Sequence, residues 1–300
     1  MEGFEGLGRR GGYFEEWYCK FTGPGGDIAF IPGMYRTKTG ERRAFIQLIT
    51  RRESRWFDYP FQDAYFSPSR FFVQIGKNRF FRQGAQIDLT QGDFFCRGAL
   101  HYGPLLPGPD VMGLLRRWPF LQCRYDLLSL DHAVEGELYF PDGPAFYTRG
   151  YLSKNNGRAF PKKYLWAQCQ ELSAHGAAIC MAAAVSVMGM AFTGFFARVL
   201  LAGRELLLAS WRGGRVDTAG PAGAVVRQGE WMLVVQRGEG GKGQPLRRSG
   251  RGGMERLANS SVAAPVRFQL IRGRQVVLDI ISERAGFEAA GWGKEKKDRT

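Results

Sequence analysis

Hydrophobic and polar residues alternate along much of this chain with a period of two. Near the C-terminus Val266, Phe268 and Leu270 alternate with polar neighbours, and the same pattern resumes beyond Gly273 at residues 276–280. A period of two places apolar side chains on one face of a strand, as a half-buried antiparallel sheet requires. No long helical stripe is evident, so the pattern predicts a protein made mainly of β-strands.

Turn residues divide the pattern into hairpins. Glycine and Pro-Asp-Gly sequences bend the chain with little strain and separate strand-like runs. The predicted pairs are Ile28–Pro32 with Ala44–Thr50, Phe71–Ile75 with Arg79–Phe81, and Val134–Phe140 with Ala145–Leu152. Two segments, Pro109–Leu115 and Gly253–Asn259, are the candidates for short helices.

One uncharged stretch permits two interpretations. Gly176–Ala197 has 22 residues without a charge, and about 20 apolar residues suffice to cross a bilayer. Glycine, serine and threonine interrupt it, which favours two buried strands, Ala178–Val187 and Phe192–Leu201, with a turn at Met188–Met190. We therefore predict the strand pair.

Length and composition indicate two β domains. The chain has 300 residues, of which 44% are hydrophobic and 41 are glycines; this excludes a disordered chain and favours many tight turns. We expect an N-terminal domain over residues 1–155, a C-terminal domain over 156–291, and a flexible tail over 292–300.

Cysteine and histidine usage predicts neither disulfides nor a metal site. Five cysteines are widely spaced with no C-x-x-C pair, and the three histidines share no ligand spacing with them. With no signal peptide at the N-terminus, the expectation is a cytoplasmic protein with reduced thiols and without zinc or iron.

Positive charge is concentrated in the second half of the chain. Residues 156–300 carry 22 basic and 11 acidic groups within a total net charge of +14. A solvated arginine-rich surface explains this, and peripheral contact with an anionic membrane is the alternative. The basic segment Arg237–Gly253 lacks the G-x-x-x-x-G-K-[ST] pattern and is predicted to be a flexible loop. No RNA-binding aromatic platform is present, so a nucleic-acid partner is not expected.

The N-terminal segment carries the most suggestive chemistry. Gly12–Phe21 (GYFEEWYCKF) packs two carboxylates, four aromatic residues around Trp17 and a lysine into one short strand, and Ile28–Tyr35 (IAFIPGMY) follows. Aromatic side chains around an acidic pair suit an apolar pocket with a proton donor at its edge.

These blocks resemble the tocopherol cyclase family, whose usual form is GYFEGWYFK followed by AFIPG. Further similar blocks recur in order over residues 11–291. They are Ala44–Ile49, Pro107–Leu114, Trp118–Cys123, Ser129–His132 with Gly136, Arg149–Pro161, Trp166–Gln170, Phe192–Phe195 and Ala285–Gly291.

The resemblance implies two lipocalin-like antiparallel β-barrel or sandwich domains and the closure of a chromanol ring from a prenylated quinol, without a cofactor. Such a reaction needs a protonated carboxyl group, aromatic faces for a carbocation, and an acceptor for the phenol proton. The candidate catalytic residues are Glu15, Asp131 and His132. The candidate substrate-binding residues are Trp17, Tyr18, Phe30, Tyr151, Asn155, Trp166 and Gln168.

Structural roles remain open for the two acids. Glu15 is equally explained by a salt bridge, with Lys20 as a partner, and Asp131 by a turn cap with His132 packed beneath. The chain also departs from the family: Gln122, Ser153 and Asn155 stand where the family has carboxylates. Because an amide cannot protonate an alkene, the alternative function is a lipid- or quinone-binding barrel without catalysis. Neither the natural substrate nor the oligomeric state is predicted.

Overall fold

The computed structural model describes residues 2–118, 121–172, 177–185, 193–240, 243–250 and 253–292. The chain divides into two compact units, each built on one antiparallel sheet that curls into a nearly closed barrel. Unit 1 comprises Met1–Gly108, Tyr125–Ala159 and Ser249–Met254. Unit 2 comprises Pro109–Arg124, Phe160–Arg248 and Glu255–Thr300. The predicted mainly-β fold with two barrels is confirmed.

The first sheet has twelve strands. They are β1 (Tyr13–Gly23), β2 (Gly26–Arg36), β3 (Arg42–Thr50), β4 (Ser54–Pro60), β5 (Ala64–Phe66), β6 (Phe72–Ile75), β7 (Asn78–Phe81), β8 (Gly84–Gln91), β9 (Phe94–Tyr102), β10 (Cys123–Phe140), β11 (Gly143–Phe146) and β12 (Arg149–Gly157). Their spatial order is β4-β3-β2-β1-β12-β10-β9-β8-β7-β6-β5, with β11 paired to β10. Strands β1 and β12 therefore lie at the centre, although about 125 residues separate them along the chain.

The second sheet has ten strands. They are β13 (Lys163–Leu172), β14 (Ala177–Val185), β15 (Thr193–Leu201), β16 (Arg204–Ala209), β17 (Arg215–Gly220), β18 (Gly223–Gln228), β19 (Trp231–Arg237), β20 (Gln244–Arg248), β21 (Arg256–Arg272) and β22 (Gln275–Ala290). The order is β16-β15-β14-β13-β22-β21-β19-β18-β17, and β20 pairs with β21.

Each unit has its own hydrophobic core on one face of its sheet. In unit 1 the core gathers aromatic residues such as Trp17, Phe21, Phe30 and Phe80. In unit 2 it is mostly aliphatic and includes Leu165, Met181, Val199 and Phe268. The period-two pattern thus selects one face of each strand for the core.

The predicted hairpins are present, with one interruption. β2 pairs with β3 across a turn where Gly40 has φ 97°, a conformation that favours glycine. β6 pairs with β7, and β21 with β22. The single strand predicted over Ala145–Leu152 is wrong, because β11 ends at Phe146 and β12 begins at Arg149.

Two other expectations need correction. Gly253–Asn259 is not a helix: β21 begins at Arg256, and the buried residues Ala258 and Ser260 alternate with the exposed residues Leu257 and Asn259. The predicted flexible loop contains β20, whose Arg248 is buried and ion-paired with Glu288. Only short 3-10 helices occur in the described chain, at Phe61–Asp63, Gly113–Arg117 and Ser210–Arg212.

The uncharged stretch forms the predicted strand pair. β14 and β15 are antiparallel neighbours, with Ala177 opposite Leu201 and Val185 opposite Thr193, while the turn predicted at Met188–Met190 lies outside the described residues. In the described chain, no helix has the length and apolarity needed to span a membrane.

Candidate functional site

Strand β1 presents a different set of side chains on each face. Its alternation places Tyr13, Trp17 and Phe21 in the core of unit 1, and Glu15 shares their face. Glu16 and Tyr18 point to the opposite face, yet they too are buried, with Glu16 at 0% exposure. The aromatic and acidic residues that stand together in the sequence are therefore divided between two sides of one sheet.

The pairing of β1 with β12 adds residues of β12 to each of these two faces. On the core side Trp17 lies opposite Lys154 and Glu15 opposite Asn156. On the other side Tyr18 lies opposite Ser153, Glu16 opposite Asn155 and Lys20 opposite Tyr151. Directly opposed residues of an antiparallel pair project from the same face.

On the core side, Glu15 and Lys154 form a fully buried ion pair. Lys154 Nζ lies 2.8 Å from Glu15 Oε1, and neither side chain has exposed surface. Tyr13 donates its hydroxyl to Glu15 Oε2 at 2.6 Å. Lys154 also sits 5.5 Å from the centre of the Trp17 ring, within cation–π range. Glu15 therefore forms a salt bridge, as the alternative explanation predicted. The partner of Glu15 is Lys154, whereas Lys20 was predicted.

The N-terminal segment completes this cluster. The amide of Glu5 donates to both oxygens of Glu15 at 3.0 Å, and the Glu5 carboxylate lies 3.2 Å from Lys154. Lys154 also donates to the carbonyl of Gly3 at 2.6 Å. Burial raises the pKa of Glu15, while Lys154, the Tyr13 hydroxyl and the Glu5 amide act in the opposite direction. Each of these three neighbours donates a hydrogen bond to Glu15, an environment that suits a carboxylate.

The opposite side of the same strands is rich in tyrosine. The hydroxyl groups of Tyr125 and Tyr151 are hydrogen-bonded to each other. The ring of Tyr18 meets that of Tyr151 edge-on, with centres 6.3 Å apart. We call the surface formed by Glu16, Tyr18, Tyr125, Tyr151 and Asn155 the tyrosine face. All five residues are at most 8% exposed, so it is a buried surface with both aromatic and polar character.

Asp131 and His132 lie on β10 in different surroundings. Asp131 forms a two-point salt bridge with Arg149, with Nε 2.9 Å from Oδ1. Burial raises the pKa of Asp131 and the Arg149 guanidinium opposes that change.

His132 is buried and hydrogen-bonded to Ser129. Ser129 Oγ lies 3.0 Å from the carbonyl oxygen of Asp131 and accepts a hydrogen bond from the amide of Leu106. His132 Nδ1 lies 3.0 Å from the same oxygen and is hydrogen-bonded to it. Burial, assisted by Arg149, lowers the pKa of His132 to about 4. The imidazole is neutral near pH 7 and cannot act there as a cationic acid.

Three predicted residues remain, one in unit 1 and two in unit 2. Phe30 belongs to the core of unit 1 and packs 6.1 Å from Phe80, ring centre to ring centre. Trp166 and Gln168 belong to unit 2, on the side of β13 that faces away from its core; Gln168 accepts a hydrogen bond from the amide of Gly286 at 3.3 Å.

The structure thus joins Tyr18, Tyr151 and Asn155 on one surface and places Glu15 and Trp17 behind it. Sequence reasoning missed Glu16 and Tyr125. Counting two residues back from Tyr18 would have identified Glu16, because alternate residues of a strand share a face. Tyr125 has no such signal, since only the folded sheet brings it to Tyr151.

No disulfide links the five cysteines, all of which lie in the described residues. In the same part of the chain, no group of three His, Cys, Asp or Glu side chains is placed to hold a metal ion.

Comparisons with known proteins identify the fold. No family model and no curated protein matches the sequence. Solved structures with this fold include a protein of Nitrosomonas europaea assigned as AttH, which is a lipocalin-like family (TM-score 0.56, 13% identity, 93% of each chain covered). Kievitone hydratase from Nectria haematococca gives a TM-score of 0.53 at 11% identity, covering 94% of this chain and 89% of that one. CghA with Sch210972 gives 0.56 at 12% identity, covering 96% and 90%. At such identities the likeness establishes a shared two-barrel fold.

Proposed function

We propose that this protein binds a prenylated quinol, or a similar apolar prenylated aromatic molecule, on the tyrosine face and cyclises it to a chromanol. The observation that carries the proposal is the composition of that face: three phenol rings, a carboxyl group and an amide, all withdrawn from water. Binding sites for small apolar molecules combine aromatic walls with a few polar groups that fix the ligand's orientation, and this face has that composition.

Each step of the ring closure has a candidate residue. The Glu16 carboxyl group gives its proton to the alkene, which becomes a tertiary carbocation. The rings of Tyr18 and Tyr151 stabilise that cation, at about 0.5–2 kcal/mol for each ring. The phenol oxygen forms the new C–O bond, and its proton returns to the Glu16 carboxylate. The reaction is an isomerisation that consumes no co-reactant, and Asn155 orients the quinol by hydrogen bonds.

Two findings support an enzyme of this kind. The sequence blocks resemble those of tocopherol cyclases, and the fold is shared with a protein named as a hydratase. Neither of the sequence-predicted acids lies on the tyrosine face with the phenol rings: Glu15 is paired with Lys154 and Asp131 with Arg149. Glu16 takes their place in the proposal.

The test is ring closure in D₂O. A dimethylquinol carrying a 3-methyl-2-alkenyl chain is incubated anaerobically with the protein. Because substrate and chromanol are isomers, they are separated by chromatography, and alkene protonation leaves one carbon-bound deuterium in the product. Glu16→Gln should reduce the rate by about 10²–10⁴, the usual contribution of a general acid. The control Glu135→Gln alters an exposed glutamate of β10 and should not change the rate. Loss of product from Glu15→Gln or Asp131→Asn, with full activity of Glu16→Gln, would overturn the choice of acid.

The second candidate function is binding without catalysis. It is favoured by the ion pairs of Glu15 and Asp131 and by Ser153 and Asn155, which are neutral where the family has acids. It predicts saturable binding of the same quinol with no deuterated product. If the protein neither binds the quinol nor forms the product, both proposed functions are contradicted.

A further inference from the structure

Two arginines of unit 1 stand directly opposite each other in one hairpin. Arg36 is the last residue of β2 and Arg42 is the first residue of β3, and the strand register pairs them. The next pair inward on the same face is Met34 with Ala44, both buried, so the two arginines continue the core face at its rim. Directly opposed residues have Cβ atoms about 4.5–5.5 Å apart, and like charges in that position destabilise a sheet.

Neither arginine has a carboxylate partner among the described residues. Arg36 Nε donates to the carbonyl oxygen of Gly11 at 3.0 Å, and the Arg42 guanidinium lies 5.6 Å from the centre of the Phe61 ring. Arg36 Nη2 is sealed from solvent and has no acceptor in the same part of the chain. A charged donor that is withdrawn from water costs free energy unless it has an acceptor. An anion bound between the two guanidinium groups would supply one.

Unit 2 contains a second opposed arginine pair, and a carboxylate bridges it. Strand register places Arg215 of β17 opposite Arg227 of β18. Asp217 accepts hydrogen bonds from both: Arg215 Nε lies 3.1 Å from Oδ1, and Arg227 Nε is bonded to Oδ2. This chain therefore shows, at a comparable position between two strands, how an oxyanion offsets the repulsion of two facing guanidinium groups.

We propose that Arg36 and Arg42 bind a phosphate group, in the role that Asp217 has in the other pair. Guanidinium groups fit phosphate oxygens in two-point hydrogen bonds. A phosphate monoester carries a charge of about −1.5 to −2 at pH 7, which nearly cancels the charge of two arginines. Lys38 and Glu41 in the joining turn are both exposed and offset each other. Arg42 is exposed as well, and exposed side chains change rotamer within nanoseconds, so an anion can reach Arg36.

The site shares no residue with the tyrosine face, so ring closure and phosphate binding are tested independently. A protein that forms no chromanol can still bind phosphate here, and an active cyclase can fail to bind it.

The test is a titration of inorganic phosphate followed by ³¹P NMR, in chloride buffer at constant ionic strength. The unmodified protein should show saturable binding, and Arg36→Gln and Arg42→Gln should each weaken it about tenfold or more, since each removes a charge-assisted contact. Arg215→Gln is the matched control: it removes the same charge from an opposed pair that already has Asp217, and it should leave the affinity within about twofold. Because Arg42 is exposed, its variant should fold normally. Unchanged binding by Arg42→Gln, or an equal loss in Arg215→Gln, would overturn the proposal.

A second ligand distinguishes two sources of the phosphate group. Phenyl phosphate carries a ring that can pack beside Phe61, the neighbour of Arg42, whereas inorganic phosphate does not. Binding of phenyl phosphate about tenfold more tightly would identify an organic phosphate as the ligand, and equal affinities would identify free phosphate. Both results support the site. If neither molecule binds saturably, the proposal is contradicted.

Discussion

Lys154 contacts the buried carboxylate of Glu15 and the partly buried carboxylate of Glu5. It lies 2.8 Å from Glu15 and 3.2 Å from Glu5. Taking such charges out of water costs several kcal/mol for each ion, and removing one partner exposes that cost. The cluster is therefore a point at which a single substitution has a large effect.

We predict that Lys154→Met lowers the free energy of unfolding by about 3 kcal/mol, because Glu15 then stays buried without a cation. Urea denaturation measures this change. The double variant Glu15→Gln/Lys154→Met should be more stable than the sum of the two single effects implies, since neither charge remains. Strict additivity would show that the two residues do not interact.

His132 should make stability depend on pH. The pKa of His132 is about 4 in the folded protein, whereas an unperturbed histidine has a pKa of 6.5. The unfolded chain therefore binds a proton that the folded protein excludes, and stability falls as the pH decreases from about 6.5 to about 4. The free energy of unfolding decreases by about 3 kcal/mol over this range.

Urea midpoints between pH 7 and pH 4.5 test this prediction. His132→Gln should lose less stability over that range than the unmodified protein does. His101→Gln, at an exposed histidine of β9, should retain the full dependence. Parallel curves for His132→Gln and the unmodified protein would contradict the assignment.

At the scale of elements, close contacts between strands decide which residues are tolerated. A Cβ atom at Gly150 of β12 would lie 2.2 Å from His132 Nε2 on β10. At Gly220, the last residue of β17, nothing lies within 4 Å of the same position. Neither glycine has a positive φ, so the comparison tests what a Cβ atom would meet at each position.

Gly150→Ala should therefore lower the free energy of unfolding by about 1–3 kcal/mol, the usual cost of overpacking a core. Gly220→Ala should stay within about 0.5 kcal/mol of the unmodified protein. Thermal denaturation followed by circular dichroism distinguishes them. Similar losses at both positions would mean that alanine in a strand, and not the imidazole contact, is responsible.

Elements also show where sequence patterns succeed. Runs with a clean period of two became strands, as in β21 and β22, because alternation and burial of one face are the same property. The helix expected over Gly253–Asn259 failed because alternation in short runs of mixed residues is hard to recognise. β20 was missed because its five residues, QPLRR, show no clear alternation of apolar and polar positions, and the ion pair that buries Arg248 is formed with Glu288, 40 residues away.

At the scale of the whole molecule, the chain builds two units with separate cores and an uneven charge. Several arginines of unit 2 are ion-paired, among them Arg267 with Asp279 and Arg272 with Glu230. The excess of 22 basic over 11 acidic groups in residues 156–300 nevertheless remains.

We predict that the protein binds vesicles containing phosphatidylserine at low salt, since each basic residue near an anionic surface contributes about 1 kcal/mol. Cosedimentation should show binding that decreases as salt is added, and none to vesicles of phosphatidylcholine alone. Equal binding to both vesicle types would mean that charge is not the cause. An absence of binding at low salt would favour the solvated arginine-rich surface.

The sequence by itself determined the fold class, most hairpins and the concentration of aromatic and acidic residues in β1, because these follow from local alternation and turn chemistry. Only the tertiary structure decided which residues of distant strands contact one another. Pairing of β1 with β12 brings Lys154 to Glu15 and Asn155 to Glu16 across nearly 140 residues of chain. It also divides GYFEEWYCKF between two faces, so that Glu15 lies in an ion pair and Glu16 lies with the tyrosines. Such contacts depend on the register between distant strands, and neither the period of a pattern nor the identity of a residue specifies that register.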